Sequence, residues 1–264
     1  MSILLVVVMT GLGIIGSFFS GLLGIGGAII NFPLLLYIPP LFGLEEFTAH
    51  EVASISMLQV FFSSLSGILA YRGKGNKGAA GVIHKGLVLN MGISILAGSL
   101  IGSFVSGSMH GNVINLIYGI LAVAAVILML IPAKGRDGGS GEELHYSKAI
   151  AVGAAFIVGI VSGIVGAGGS FILIPVMLTV LRIPTRTAIA SSMAIVFISA
   201  VGGVIGKLGG GDIPLWAALF TVIGSLIGAP IGARVGSKIN VKALRYLLLI
   251  LIAFTAVKVW SSIL

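Results

Sequence analysis

The hydrophobic pattern of this chain is one of long apolar runs rather than narrow stripes. Stretches of roughly 18 or more apolar and small residues recur along it, each long enough to cross about 30 Å of hydrocarbon as a helix. Strict apolar/polar alternation is absent, which favours helices over a transmembrane β-barrel. Two of the runs are broken in the same way. Ser20-Gly21-Leu22-Leu23-Gly24-Ile25-Gly26-Gly27 reads S-G-x-x-G-x-G-G, and Ser162-Gly163-Ile164-Val165-Gly166-Ala167-Gly168-Gly169 repeats it 142 positions later, with Pro33 matched at the same offset by Pro175.

The pattern predicts a first helix running from residue 2 to the glycine break, then a shorter helical piece over 28–37 stopped by Pro39-Pro40. A piece of ten to thirteen residues reaches only about 15–20 Å, too short for a straight crossing. The pair is therefore a helix plus a half-helix, or a re-entrant hairpin. A polar loop with Glu45, Glu46, His50 and Glu51 follows, then helices over 52–71, 86–106 and 113–131. The glycine-rich hydrophilic run at 132–147 reads as a linker. The second half repeats the order: a helix from 148, a break, a half-helix to 181, and helices over 187–205, 215–235 and 241–261. Gly67 pairs with Gly203, and Gly98-Ser99-Leu100-Ile101-Gly102 matches Gly224-Ser225-Leu226-Ile227-Gly228. Residues 1–131 and 148–264 are thus two repeats joined by 132–147.

Composition turns this into a class. With 58% hydrophobic residues, 8% charged ones and a mean hydropathy of +1.21, the chain cannot cover a water-soluble globule with polar surface. The apolar N-terminus has no basic flank or convincing cleavage site and reads as a retained helix. The net charge of +8 does not point to nucleic acid, because of where the charges fall. With the loop from Arg72 to Lys85 on the cytoplasmic side, thirteen of the fifteen lysines and arginines fall on or beside that face, leaving Lys207 and Lys258 opposite. The acidic loop and both termini then lie outside, and the linker inside. Each half has an odd number of further crossings after its glycine pair, so the halves run in opposite directions. The expected fold is all-α and polytopic, with two inverted repeats of four to five helical segments containing broken or re-entrant helices.

Inverted halves with duplicated breaks are a transporter's plan, and broken helices suit an anion. A half-helix starting after Gly27 or Gly169 presents unpaired N–H groups and the positive end of its dipole, about half a charge. This makes Gly26, Gly27, Ala28, Gly168 and Gly169 candidate substrate-binding positions, with Asn31 and Ser170 as nearby donors that alternatively satisfy neighbouring backbone. Glycine also serves close helix packing, the favoured reading for Gly11, Gly98, Gly102, Gly224, Gly228 and Gly232. A second polar set lies on the third segments: Ser54, Ser56 and Gln59, with Ser191 and Ser192. Gln59 is costly to leave in lipid and faces the protein interior, either as a ligand or in a helix-to-helix hydrogen bond. Ser56 and Ser192 are candidates of the same kind, with packing as the plainer role. Arg182 and Arg186 read as interfacial anchors or as an anion funnel. His50, beside Glu51, is solvated or proton-linked.

The duplicated S-G-x-x-G-x-G-G element followed by proline, the inverted halves and the length resemble the TauE/SafE family of sulfite and sulfonate exporters. The resemblance covers most of the chain. It implies a multi-pass protein of a prokaryotic inner membrane that moves sulfur-containing anions such as sulfite or sulfoacetate, and a homodimer is compatible with it. The alternative is a channel or carrier for another small organic anion or a neutral solute. No cysteine and no mid-helix carboxylate are present to build a metal site, no cofactor is expected, and no P-loop, H-E-x-x-H or G-x-S-x-G pattern points to an enzyme.

Overall fold

The computed structural model describes residues 3–24, 28–72, 83–130, 146–209, 213–236 and 238–263. Its helices are α1 (Ile3–Leu23), α2 (Ala28–Leu41), α3 (Ala49–Arg72), α4 (Lys85–Ser106), α5 (Gly111–Leu130), α6 (Lys148–Val165), α7 (Ser170–Thr179), α8 (Thr185–Leu208), α9 (Leu215–Gly236) and α10 (Val241–Ile263). Seven of these (α1, α3, α4, α5, α6, α8 and α9) are long and apolar enough to cross a membrane. The protein is an all-α polytopic membrane protein, as its hydropathy requires. The linker expected at 132–147 falls mostly outside the described residues.

Two boundaries differ from expectation for local reasons. Pro39 and Pro40 do not stop α2: the proline φ of about −65° is itself helical, and the chain leaves the helix only near Gly43, at φ 71°. Likewise α3 begins before His50 and Glu51 instead of after them. Thr48 and Glu51 form a capping box, in which the Thr48 N–H donates to Glu51 Oε2 at 2.8 Å and the Glu51 N–H to Thr48 Oγ1 at 3.3 Å.

Contacts between the helices give their directions. Gly13 and Ser17 of α1 meet Gln59 of α3, and Ser20 meets Ser63, so α1 and α3 run the same way. Asn31 lies beside Gly16, which means that α2 turns back along α1 after the break. The α1–α2 pair is therefore a returning hairpin. Gly203 packs on Met57 and Gly67 on Met193, so α3 and α8 are antiparallel. Ser99 donates to Ser199 O and Ser103 to Gly203 O, which makes α4 parallel to α8. In the same way α6 follows α4, and α9 follows α1. The first, third and fourth helices of one half thus oppose their counterparts in the other, and the repeats are inverted.

The halves interleave. Helix α1 packs most extensively on α9 and α6 on α4, while α3 packs on α9 and α8 on α4, so every major contact is exchanged by the pseudo-twofold. Glycine makes these approaches possible: a Cβ at Gly98, Gly102, Gly224, Gly228 or Gly232 would come within 3.0 Å of the partner helix's backbone. Gly11, expected to pack in this way, instead faces open space.

Tracing these directions puts the end of α3, the starts of α4, α6 and α8, and the α9–α10 turn at one end of the molecule. Lys85, Lys148, Arg182, Arg234 and Lys238 are exposed there. Glu45 and Glu46 lie at the other end, where His50 Nε2 donates to Met109 O at 2.8 Å and joins α3 to the α4–α5 turn.

Candidate functional site

The second glycine break shows why this sequence has to be glycine. Helix α6 ends at Gly166 in a left-handed turn (φ 76°), Gly168 and Gly169 are left-handed too (φ 63° and 75°), and Ala167 donates to Ser162 O at 3.0 Å. Three such residues in four positions are tolerable only without side chains. Space makes the same demand, since a Cβ at Gly166 would come within 2.6 Å of Ala53 Cα. Gly169 caps α7 with no side-chain hydrogen bond, so the first N–H groups of that helix are free of a side-chain cap, at its positive end.

The tip of this break reaches the middle of the molecule. A Cβ at Gly168 would lie 2.7 Å from Val60 Cγ1 and 3.3 Å from Val196 Cγ1. There α3 crosses α8, and the rings of Phe61 and Phe197 stand 5.2 Å apart. The segment of α3 from Ala53 to Val60 therefore lies along the second break. Ser56 and Gln59 occur within it, one turn apart and on one face.

On its other side this segment meets α1 and α2. Gln59 Nε2 donates to Gly13 O at 3.3 Å and to Ser17 Oγ at 3.1 Å. Asn31, one turn into α2, sits against Gly16, where any Cβ would occupy the place of its amide. Asn31 and Gln59 are each 1% exposed and Ser56 is 0% exposed. Despite that burial, Asn31 Nδ2, Asn31 Oδ1, Gln59 Oε1 and Ser56 Oγ have no hydrogen-bond partner. A buried polar atom left unpaired costs on the order of 1–3 kcal/mol. Unpaired atoms on three buried side chains of neighbouring segments are unusual in a folded protein and call for an explanation.

The other expected residues fall in different places. Ser192 Oγ donates to Gly24 O at 2.8 Å and to Ile189 O at 2.9 Å, securing the end of α1 on α8. Ser54 donates to its own helix at His50 O, and Ser191 accepts from the His84 N–H at 3.1 Å; both are structural. Arg182 is exposed on the loop between α7 and α8, at the basic end and apart from the central cluster. Gly26 and Gly27 lie outside the described residues, as do the side chains of Ala28, Ser170 and Arg186, although Ala28 and Ser170 begin their helices as expected. Among the described residues no three His, Cys, Asp or Glu side chains come together to hold a metal.

Sequence reasoning missed Gly13, Gly16 and Ser17. Their spacing puts them on one face of α1, a signal that was available but reads equally as helix packing. It also missed Lys207, which is 7% exposed and donates to Ser106 Oγ at 2.7 Å, joining the last turns of α8 and α4.

Comparison with known proteins gives a consistent picture. The model of the family described as "Sulfite exporter TauE/SafE" matches residues 9–259. The probable membrane transporter protein YunE of Bacillus subtilis is 28% identical over 235 residues, covering 83% of this chain and 84% of that protein. A probable membrane transporter protein of Xylella fastidiosa (strain 9a5c) is 30% identical over 199 residues, covering 73% and 70%. The probable membrane transporter protein MJ0441 of Methanocaldococcus jannaschii is 29% identical over 207 residues, covering 78% and 72%. No solved structure matches the chain.

Proposed function

The chain belongs to the sulfite exporter TauE/SafE family of membrane transporters, and we propose that it moves a sulfur-containing anion, sulfite or a short organosulfonate, out of the cell. The observation that carries this reading is the set of buried, unpartnered polar atoms on Asn31, Ser56 and Gln59 beside the glycine tip that starts α7. The anion's charge meets the positive ends of α2 and α7, which stabilise it without a trapped counter-ion. The amide of Asn31 and the hydroxyl of Ser56 orient it. Irregular backbone at this depth belongs in a polar cavity, the arrangement by which two inverted repeats rock around a central site.

The basic end is the cytoplasmic one by the positive-inside rule, which leaves both termini outside a prokaryotic inner membrane. Arg182 then stands at the face from which an exported anion is drawn in. An inside-negative potential favours anion exit by about 2.3 kcal/mol per charge per 100 mV, so no proton-carrying carboxylate is needed for export. The relatives are named as probable membrane transporter proteins, which supports a transporter rather than an enzyme.

The test is thermal stabilisation of the purified protein. Sulfite or a short sulfonate raises the melting temperature, and Asn31→Leu abolishes that rise without lowering the melting temperature of the ligand-free protein. A rise with a cation or a neutral solute, and none with any sulfur oxyanion, sinks the proposal.

A further inference from the structure

The unpartnered atoms of the site are of two kinds, and the difference specifies the ligand more closely. Gln59 is anchored in one orientation. Its amide nitrogen faces Gly13 O and Ser17 Oγ, and Gly13 O, a carbonyl, can only accept, so the amide cannot be turned to place its own oxygen there. Gln59 Oε1 is consequently fixed as a buried acceptor with no donor. Asn31 is not held in this way; both ends of its amide are unpartnered, and turning it exchanges one orphan for another. If Asn31 gives an N–H to Gln59, its own oxygen still lacks a donor.

A fully deprotonated sulfonate or sulfite offers oxygens alone. Such an anion satisfies the Asn31 N–H groups, the Ser56 hydroxyl and the start of α7, but leaves an amide oxygen buried and unpaired. Resting on the substrate reading above, we infer that the transported anion carries a hydrogen-bond donor as well as its charge, and that Gln59 Oε1 receives it. The class is hydroxy- or amino-substituted sulfonates, together with the protonated form of sulfite. A site that hydrogen-bonds a substrate O–H or N–H discriminates strongly against the analogue without it, because the site's own polar atom is then left unpaired.

The repeat supports the assignment. Position 59 of α3 corresponds to Ile195 of α8, by the same offset that relates Met57 to Met193 and Gly67 to Gly203. Ile195 is 0% exposed, so the fold at this position is satisfied by an apolar side chain. The amide of the first half ties α3 to α1 through its nitrogen, and that tie leaves its oxygen turned to a place where the second half needs no polar atom.

The experiment compares two ligands of nearly equal size, 2-hydroxyethanesulfonate and ethanesulfonate, by direct titration of the purified wild-type protein and of Gln59→Met. The wild type binds the hydroxylated ligand about tenfold more tightly, equivalent to about 1.4 kcal/mol. In Gln59→Met the preference falls below about threefold while ethanesulfonate still binds, as expected for a contact worth about 1 kcal/mol. Equal wild-type affinities for the two ligands overturn this inference and leave the sulfonate site standing. A preference that survives intact in Gln59→Met also overturns it. If neither ligand nor any sulfur oxyanion binds, it is the proposed function that has failed.

Discussion

The two halves of the molecule share a scaffold but not a chemistry. Gly21 against α9 and Gly163 against α4 are the same contact made twice, as are Gly24 on Ile189 and Gly166 on Ala53. At the polar positions the copies part. Asn31 corresponds to Leu173, Gln59 to Ile195 and Ser17 to Gly159, and Leu173 and Ile195 are both fully buried. Ser56 and Ser192 are the same residue in two states, one unpartnered and the other bonded to Gly24 O at 2.8 Å. What the difference teaches is that packing constraints act on both halves equally, because both must form the same contacts. On the proposed reading, the side chains that bind come from one half, because one ligand needs only one set of side-chain donors and acceptors.

The largest effect tests the shared part. A Cβ at Gly21 would lie 2.8 Å from Ala233 N, and one at Gly163 2.8 Å from Ser103 N. Each clash is with backbone, which has no rotamer to move, so the cost exceeds the roughly 1–3 kcal/mol of ordinary overpacking. Gly21→Leu and Gly163→Leu each abolish accumulation of monodisperse protein on size-exclusion chromatography. Tolerance of one and not the other breaks the equivalence of the halves.

The next effect is smaller and its sign carries the argument. Leu173→Asn gives the second half the amide of the first, buried and without a ligand, and lowers stability by about 1–3 kcal/mol. Asn31→Leu is the reverse exchange and raises the stability of the ligand-free protein by a similar amount, about 1–3 kcal/mol, while removing its response to anions. Thermal melting of the two variants reads both signs. If Asn31→Leu destabilises, the amide is a packing element and the asymmetry has no functional meaning.

The shared part was also the legible part. Apolar runs, the duplicated glycines and the lysine and arginine distribution are enough to give helices, inverted repeats and broken segments, because membrane insertion and close packing leave their mark on composition. The packing of α2 back against α1 was not legible, since a short apolar helix carries no mark of the helix it lies on; the position of Asn31 beside Gly16 shows it. Gln59 and Asn31 stood out as polar residues in apolar runs, but their meeting across α1 depends on Gly13, Gly16 and Ser17, whose glycines look like ordinary packing residues. Ser192 could not be told apart from Ser56 in the sequence for a related reason. A hydroxyl in a membrane helix says nothing about whether a carbonyl lies opposite, and here Gly24 does.

The smallest effect sharpens the comparison most, because it uses the same substitution twice. Ser192→Ala removes a hydroxyl that holds Gly24 O and lowers stability by about 1 kcal/mol, with the response to a sulfonate reduced only as far as α1 loosens. Ser56→Ala removes a hydroxyl that holds nothing in the ligand-free protein, so its melting temperature stays at the wild-type value or rises slightly. Its loss is felt when ligand is present: affinity falls about three- to tenfold, the equivalent of one hydrogen bond worth about 1 kcal/mol. Melting curves with and without a sulfonate separate the two cases, since one variant shifts the ligand-free curve and the other shifts only the distance between the curves. If both variants behave alike, Ser56 is a packing serine, and the binding surface contracts to Asn31, Gln59 and the start of α7.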